Sequence, residues 1–405
     1  MNILIVSDSY PAFDRSSYEL RFSRLVHILA EQHQIMLCPV DVPYMEKELG
    51  IDAVQRYRNK LLDQGAGIAN KGLASALQAA QHYDVILFII YSQASPSNLR
   101  LVRYWAPTAL IVIDSVDVQF GRFLSRARLT GKKKDVDHAE KIKSDELAAY
   151  KVADLIIVVS EPERELLLPE LPNKQVRIIS NIHPMGEFTP TEARDGKTLL
   201  FVGWGQYDPN VDAVTYFARD VFPLILKQIP NARLKVVGGD YPKEVHNLHG
   251  GSIEIIGRVP EMAPYLQEAY ISIAPLRYGS GVKGKIGEAL SYGLPVVTTS
   301  IGLEGFGLTP NKNVLLGDTP EEFAAHVISL LVNPSLHAEI SLAGWEFLKD
   351  SFSEDAVREQ VQALFKDLEH MPRRWLVLQS RRLFSFIKQQ TERHILWRLA
   401  RVGIR

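Results

Sequence analysis

The stretch from Ala274 to Gly305, APLRYGSGVKGKIGEALSYGLPVVTTSIGLEG, holds the residues best suited to chemistry. Gly279, Gly281 and Gly284 leave backbone N–H groups open to an anion, and a helix starting here adds the positive end of its dipole. Such a loop cradles phosphate. Lys283 and Lys285 fall within the first turn, where an ammonium neutralises a diphosphate. Glu288 lies three residues beyond Lys285 on the same face, placed to accept ribose hydroxyls. The same pattern also fits an ordinary strand, glycine turn and helix of any α/β protein.

Other elements must bring partners to this loop. Residues 2–7 (NILIVS) form a short apolar run, followed by Asp8, Ser9, Tyr10 and Pro11 and an amphipathic helix from about Ser16 to Gln32. Further strands are expected at Gln34 to Pro39, Asp84 to Ile90, Ala109 to Asp114, Asp154 to Val159 and Gln175 to Ile179, most of them separated by helical patterns. Alternation of this kind predicts a parallel, doubly wound sheet. Residues 44–83 read as helical without further detail.

Ligands meet such a sheet at the carboxyl ends of its strands, which selects Asp8, Tyr91, Asp114, Asp117, Ser160 and Asn181. Asp114 and Asp117 either face a ligand or cap the helix entering at Val118. Ser160, with Glu161 and Glu163, reads as an N-cap with first-turn acids. Ser16 or Ser17 caps the first helix or touches a ligand, and Arg21, one turn in, is the better candidate for a phosphate or acceptor contact. The basic run from Arg122 to Lys134 is a solvated face, or meets an anionic acceptor such as a lipid-linked diphosphate sugar.

After Asn181 comes a segment rich in Pro, Gly and charge, read as a linker over residues 182–197. It divides an N-terminal domain (1–181) from a second domain (198–352), followed by a helix returning to the first domain (353–370) and a tail (371–405). The second domain opens with a strand, the turn Gly203-Trp204-Gly205 and a helix after Pro209. Gly203 lets phosphates approach the backbone, while Trp204 either packs or stacks, with packing favoured. Two more strands follow, the second leading to Arg258, Val259 and Pro260.

The Ala274–Gly305 stretch resembles, over its full length, the donor-binding segment of retaining GT-B glycosyltransferases of family 4 (group 1), in the branch that assembles bacterial polysaccharides. The resemblance covers roughly Met1 to Glu369 and is strongest from Leu199 to Gly305. It implies two Rossmann-like doubly wound α/β domains facing across a cleft, the first on the acceptor side and the second binding a nucleoside-diphosphate sugar. It also implies residue roles: Gly281 and Val282 at the diphosphate, Lys285 contacting it, Glu288 on the ribose, and Ser280 in the donor site at a position usually assigned near the transferred sugar. Gly203 and Trp204 would stand at the cleft, with Arg258, Val259 and Pro260 flooring the base pocket through main-chain groups. Asp117, in DSVDVQFGRF, matches the acidic loop that faces the reacting sugar in this family. Three departures stand out. Ser280 occupies a position where many members carry a second glutamate, Ser16 and Ser17 replace a glycine pair, and no histidine accompanies Asp114 and Asp117.

Composition agrees with a globular chain: 405 residues, 46% hydrophobic and 23% charged, are enough for two cores. The single cysteine, Cys38, excludes an internal disulfide, fits a reducing compartment and reads as a small core residue. The N-terminal run lacks a basic leader, and no apolar run reaches the 18 or more residues of a membrane span. A cytoplasmic protein is expected, or one peripheral at the inner face of the plasma membrane. Residues 371–405 carry nine Lys/Arg against one acid, Glu392, interleaved with apolar groups as in an interfacial helix, so an anionic membrane is a candidate partner beside a packed helix.

The function expected is therefore transfer of a sugar from a nucleotide-sugar donor to a glycan or lipid-linked acceptor hydroxyl, with no cofactor, metal or nucleic acid. Scattered histidines and the lack of a DxD at a strand end in the second domain fit that expectation. Alternatives are a nucleotide-sugar epimerase on the same scaffold and a nucleotide-sugar-binding protein without activity. A dinucleotide-dependent oxidoreductase is disfavoured by the absence of G-x-G-x-x-G after the first strand.

Overall fold

The computed structural model describes residues 1–372 apart from Gln81 and Ser280. Ser280 and the expectations placed on residues 373–405 therefore lie outside the described residues. In the first sheet, β1 (Asn2–Ser7), β2 (Gln34–Pro39), β3 (Gly67–Ile68), β4 (Val85–Ile89), β5 (Leu110–Asp114), β6 (Leu155–Val158) and β7 (Gln175–Ile178) run in the order β3-β2-β1-β4-β5-β6-β7. The second holds β8 (Thr198–Val202), β9 (Arg233–Val237), β10 (Ile253–Gly257), β11 (Ile271–Ala274), β12 (Val296–Thr298) and β13 (Leu315–Leu316) in the order β10-β9-β8-β11-β12-β13. All of these pairings are parallel.

A parallel sheet covered by helices on both faces buries both sides of its strands. That is why VILFI and LIVID are unbroken apolar runs and every residue in them is buried. Strand order reverses between β1 and β4 and again between β8 and β11, opening one crevice at the carboxyl edge of each sheet. The two Rossmann-like domains are borne out. Residues 44–83, unplaced by sequence, lie mostly in the helices Val42–Leu49, Ile51–Asp63 and Gly72–Ala79 and in short β3.

Three devices hold the domains. The helix Glu354–Glu369 leaves the second domain and buries Val357, Val361, Leu364, Phe365 and Leu368 in the first-domain core with Ile3, Leu25 and Ile28. Ion pairs Arg358–Glu31 and Arg24–Glu354 edge that contact. Residues 182–197 are fastened to the second domain by buried Arg194, whose guanidinium donates to the carbonyls of Leu266 at 2.7 Å, Ala269 at 2.9 Å and Tyr292 at 2.7 Å.

The third device corrects an expectation. Arg21 does not reach toward a ligand; it is 1% exposed, with Nη1 donating to Asp114 Oδ2 at 2.7 Å, Nε to the Ser180 carbonyl at 3.1 Å and Nη2 to the Ile179 carbonyl at 2.8 Å. Its guanidinium ties the first helix to the ends of β5 and β7. Asp114 is consumed in turn, its other oxygen accepting from the Val116 N–H at 3.1 Å. Removing one partner of a buried ion pair strands the other, at a cost of roughly 3–5 kcal/mol. Arg21→Ala should therefore lower the urea midpoint by that order of free energy, and Arg21→Lys should recover only part of it, because an ammonium cannot reproduce the fork. Unchanged midpoints in both variants would refute the staple.

Candidate functional site

The glycine loop after β11 stands at the second crevice. Gly279 and Gly281 adopt φ of +148° and +67°, a turn that side chains rarely tolerate. The helix Gly284–Ser291 follows, and its N-cap, Lys283, makes no side-chain hydrogen bond to it, leaving the first N–H groups to other partners. The loop presses on the first domain. A Cβ at Gly281 would lie 3.3 Å from both Asp117 Oδ1 and Glu163 Oε1, and one at Gly284 would lie 2.2 Å from Ser17 Oγ. Asn181 Nδ2 donates to the Val282 carbonyl at 3.2 Å, and the Gly279 N–H donates to Ser125 Oγ at 3.4 Å. Gly281, Val282, Asp117 and Asn181, selected from sequence, thus meet at one place.

Two cations are withdrawn from water there. Lys285 donates from Nζ to Asn210 Oδ1 at 2.5 Å and lies 4.1 Å from the centre of the Phe201 ring. Burial, reinforced by the neighbouring Lys283 charge, pulls its pKa down to about 7. Lys283 is buried, donates to the Gly281 carbonyl at 2.5 Å and stands 3.9 Å from Glu304 Oε2. Burial lowers its pKa too, against the pull of Glu304, Asp117 and Glu163. Glu288, one turn along the helix, has its pKa pushed up to about 7 by burial. An anion brought into this pocket would favour the charged form of both lysines.

On the first-domain side, neither Asp114 nor Asp117 caps the next helix, Gln119–Thr130. Two buried glutamates do so from elsewhere. Glu146 accepts from the N–H groups of Gln119 at 3.1 Å and Phe120 at 2.9 Å, while Glu163 bridges the N–H groups of Val118 and Val159, both at 3.0 Å. Burial raises both carboxyls, and Asp117 raises Glu163 further. Glu163, read from sequence as a first-turn acid, is in fact a clamp beneath the acidic loop, and the Ser160 side chain forms no cap hydrogen bond. Asp117 remains at the cleft, 3.3 Å from Arg122 Nη1. Val116 beside it has φ +61°, the kind of backbone strain that gathers at functional sites. The helix 119–130 also meets the second domain through Arg126, 2.5 Å from Asp208, and Arg122, whose guanidinium lies 5.5 Å from the Tyr207 ring centre.

Elsewhere, Asp8 accepts from the Gln93 amide at the β1/β4 crevice, next to Tyr91. Cys38 is a buried core residue whose thiol is pushed up to about 11. Gly203 ends β8, and Trp204 is not packed as favoured from sequence: it is 50% exposed, its Nε1 donating to Asp240 Oδ2 at 2.8 Å. Arg258 Nη2 donates to the same oxygen at 3.0 Å, with Val259 partly buried beside it. Asp240 was missed and the clamp role of Glu163 was not seen, because the partners that define them, Trp204 and Val118, are 36 and 45 residues away in sequence. Among the described residues, no group of three or more His, Cys, Asp or Glu is arranged to hold a metal ion.

Residues 196–333 match the family model for glycosyl transferases group 1. An uncharacterized 44.6 kDa protein in the cps region of Klebsiella pneumoniae is 27% identical over 180 residues, covering 42% of this chain and 45% of that relative, so the match spans less than half of either. Among solved structures, sucrose-phosphate synthase from Thermosynechococcus elongatus superposes with a TM-score of 0.67 at 17% identity, covering 91% of this chain and all of the other. Anabaena HepE in complex with UDP and glucose gives a TM-score of 0.64 at 14% identity with the same coverage. These likenesses are to the GT-B fold.

The depressed pKa of Lys285 gives a signed expectation. In the free protein its ammonium is largely present below pH 7 and lost above it, whereas a bound diphosphate raises its pKa. Inorganic pyrophosphate should therefore bind with proton uptake near pH 7–8, and its affinity should fall as pH rises through that range. Calorimetry in buffers of different ionisation enthalpy measures the uptake; Lys285→Arg should abolish most of it. An uptake equal in the wild type and this variant would exclude Lys285 as its source.

Proposed function

We propose that this protein is a glycosyltransferase moving a sugar, of the hexosyl class, from a nucleoside-diphosphate donor to an acceptor hydroxyl with retention of anomeric configuration, in polysaccharide or glycoconjugate assembly. The observation that carries it is the glycine loop and Lys285 at the crevice of the second sheet, closed against Asp117 of the first domain. The group 1 match over 196–333 and neighbours solved with UDP, glucose and UDP-glucose support the same reading.

In this reading the loop N–H groups and Lys285 hold the diphosphate, and Glu288 accepts the ribose hydroxyls. As the bond from the anomeric carbon to the diphosphate breaks, charge gathers on the leaving oxygen, and the ammonium and the helix N-terminus stabilise it more than they stabilise the intact donor. The acceptor oxygen bonds to the anomeric carbon on the same face, and its proton passes to the leaving diphosphate. Asp117, reaching across from the first domain, orients the sugar or the incoming hydroxyl. Closure of the two domains limits hydrolysis of the donor. No metal or other cofactor takes part in this scheme.

A thermal-shift panel of UDP, GDP, ADP and dTDP should raise the melting point with one base preferred, since a ligand bound only by the folded form stabilises it. With the matching donor, Lys285→Ala and Glu288→Ala should abolish transfer, and Asp117→Asn should lower kcat by about 100-fold or more, as loss of a group acting at the reacting centre does. Donor turnover without any acceptor would favour an epimerase and overturn the scheme.

We also place the protein in the cytoplasm, peripheral at the inner face of the plasma membrane, with residues 371–405 binding anionic lipid. Among the described residues no single helix is long and apolar enough to cross a membrane. Nine basic residues at about 1 kcal/mol each suffice for peripheral attachment. Flotation with anionic liposomes should be lost on deleting 371–405; equal flotation of both forms would rule the attachment out.

A further inference from the structure

The ends of β8, β9 and β10 are laced together by main-chain hydrogen bonds. The Gly203 N–H donates to the Val237 carbonyl at 3.0 Å, the Gly238 N–H to Gly257 at 2.9 Å and the Gly205 N–H to Gly239 at 2.8 Å. Contacts this close require glycine. A Cβ at Gly238 would lie 1.7 Å from the Gly203 carbonyl oxygen, and one at Gly205 would lie 2.4 Å from the Tyr241 main-chain nitrogen. Between two of these glycines a large aromatic side chain, Trp204, rises half-exposed. Its rim is tethered to Asp240, whose backbone has φ +64°, and Arg258 closes on the same carboxylate oxygen. Gly239 makes room for that guanidinium, since a Cβ there would stand 3.1 Å from Arg258 Nε.

An indole fixed at its rim has already lost the rotational freedom that a binding partner would otherwise have to remove, and its face is an apolar, polarisable surface. Its place relative to the lysine pocket is set by one residue. Asn210 donates from Nδ2 to the Trp204 carbonyl at 2.9 Å while its Oδ1 accepts from Lys285 Nζ. From that pocket the glycine loop faces the first domain at Ser125 and Asp117. The two ends of a nucleotide sugar lie on opposite sides of its diphosphate. With the sugar on the first-domain side, the base falls over the ends of β8, β9 and β10.

We infer that Trp204, clamped by Asp240 and flanked by Arg258, is the platform on which the nucleobase stacks; this rests on the diphosphate reading proposed above. Stacking on an aromatic ring contributes about 1–3 kcal/mol per base, roughly a 5- to 150-fold effect on affinity. Pyrophosphate has no base and is blind to it.

The test compares two titrations of the full-length protein, one with inorganic pyrophosphate and one with the nucleoside diphosphate giving the largest thermal shift among UDP, GDP, ADP and dTDP. Trp204→Ala should weaken the nucleotide by about tenfold or more and leave pyrophosphate unchanged. Trp204→Phe should recover most of the loss, and Asp240→Asn, which slackens the clamp, should fall between. Circular dichroism and melting temperature of the free variants should match the wild type, because Trp204 is outside the core. An equal loss for both ligands, or no loss for the nucleotide, would overturn the platform. Wild-type protein that binds neither pyrophosphate nor any of the four nucleotides overturns the diphosphate reading itself, and the platform with it.

Discussion

A half-buried ammonium facing a neutral partner governs the second domain. Lys285 meets an amide oxygen and an aromatic face, both of which attract a cation, yet neither replaces the water it has lost; hence its lowered proton affinity. Phe201 belongs to β8 and Asn210 to the helix after it, so the strand and helix that build the core also build the lysine's seat. With Lys283 beside it and a helix N-terminus opening onto the same space, three positive features converge at the loop of Gly279 and Gly281, against which Asp117 and Glu163 of the first domain are pressed.

Other buried ionisable groups of the protein find their hydrogen-bond partners within it. Arg21 spends its fork on Asp114 and two carbonyls, Arg194 on a ring of carbonyls, and Glu146 and Glu163 on backbone N–H groups at the start of helix 119–130. A carboxyl group at a helix N-terminus accepts from N–H groups that have no partner within the helix, and a guanidinium among carbonyls satisfies acceptors that burial would otherwise leave costly. Saturation of hydrogen bonds thus separates structural charges from those turned to the cleft. By that measure Glu163 supports Asp117 from below: it holds the Val118 and Val159 main chains together, and it has an environment in which burial and the nearby Asp117 charge both favour its neutral form.

What could be read in the sequence follows the same division. Strand positions were legible because parallel strands are apolar on both faces, and NILIVS, VILFI and LIVID admit few other readings. The glycine loop and its lysines were legible because they are contiguous. Arg21 was read as a ligand contact and Asp114 as a ligand contact or a helix cap, since the 93-residue separation that joins them leaves no local trace, and a charged residue after a strand looks the same whether or not it has a partner. Trp204 was misjudged for a related reason: an aromatic beside a strand end usually packs, and only the interlocked glycines of three loops expel this one. The helices between residues 42 and 79 stayed undivided because their polarity is mixed and one of their boundaries, Gly50, is a single residue with φ +83°.

The replacement of a glycine pair by Ser16 and Ser17 can be understood through the opposing domain. Ser16 caps the first helix, its Oγ accepting from the Glu19 N–H at 3.3 Å, so the hydroxyl has a structural use that glycine lacks. Ser17 then enters the helix and brings its hydroxyl against the start of helix 284–291. That approach is tolerated because residue 284 is glycine; any side chain there would overlap Ser17 Oγ. The close contact between domains thus depends on glycine at residue 284, at the head of helix 284–291. The contact bears on the cleft, because helix 17–30 also carries Arg21, bound to Asp114, and packs against the returning helix 354–369. One rigid helix consequently bears on the glycine loop, on β5 and on the brace between domains, so the spacing across the cleft is set by elements with little freedom to shift independently.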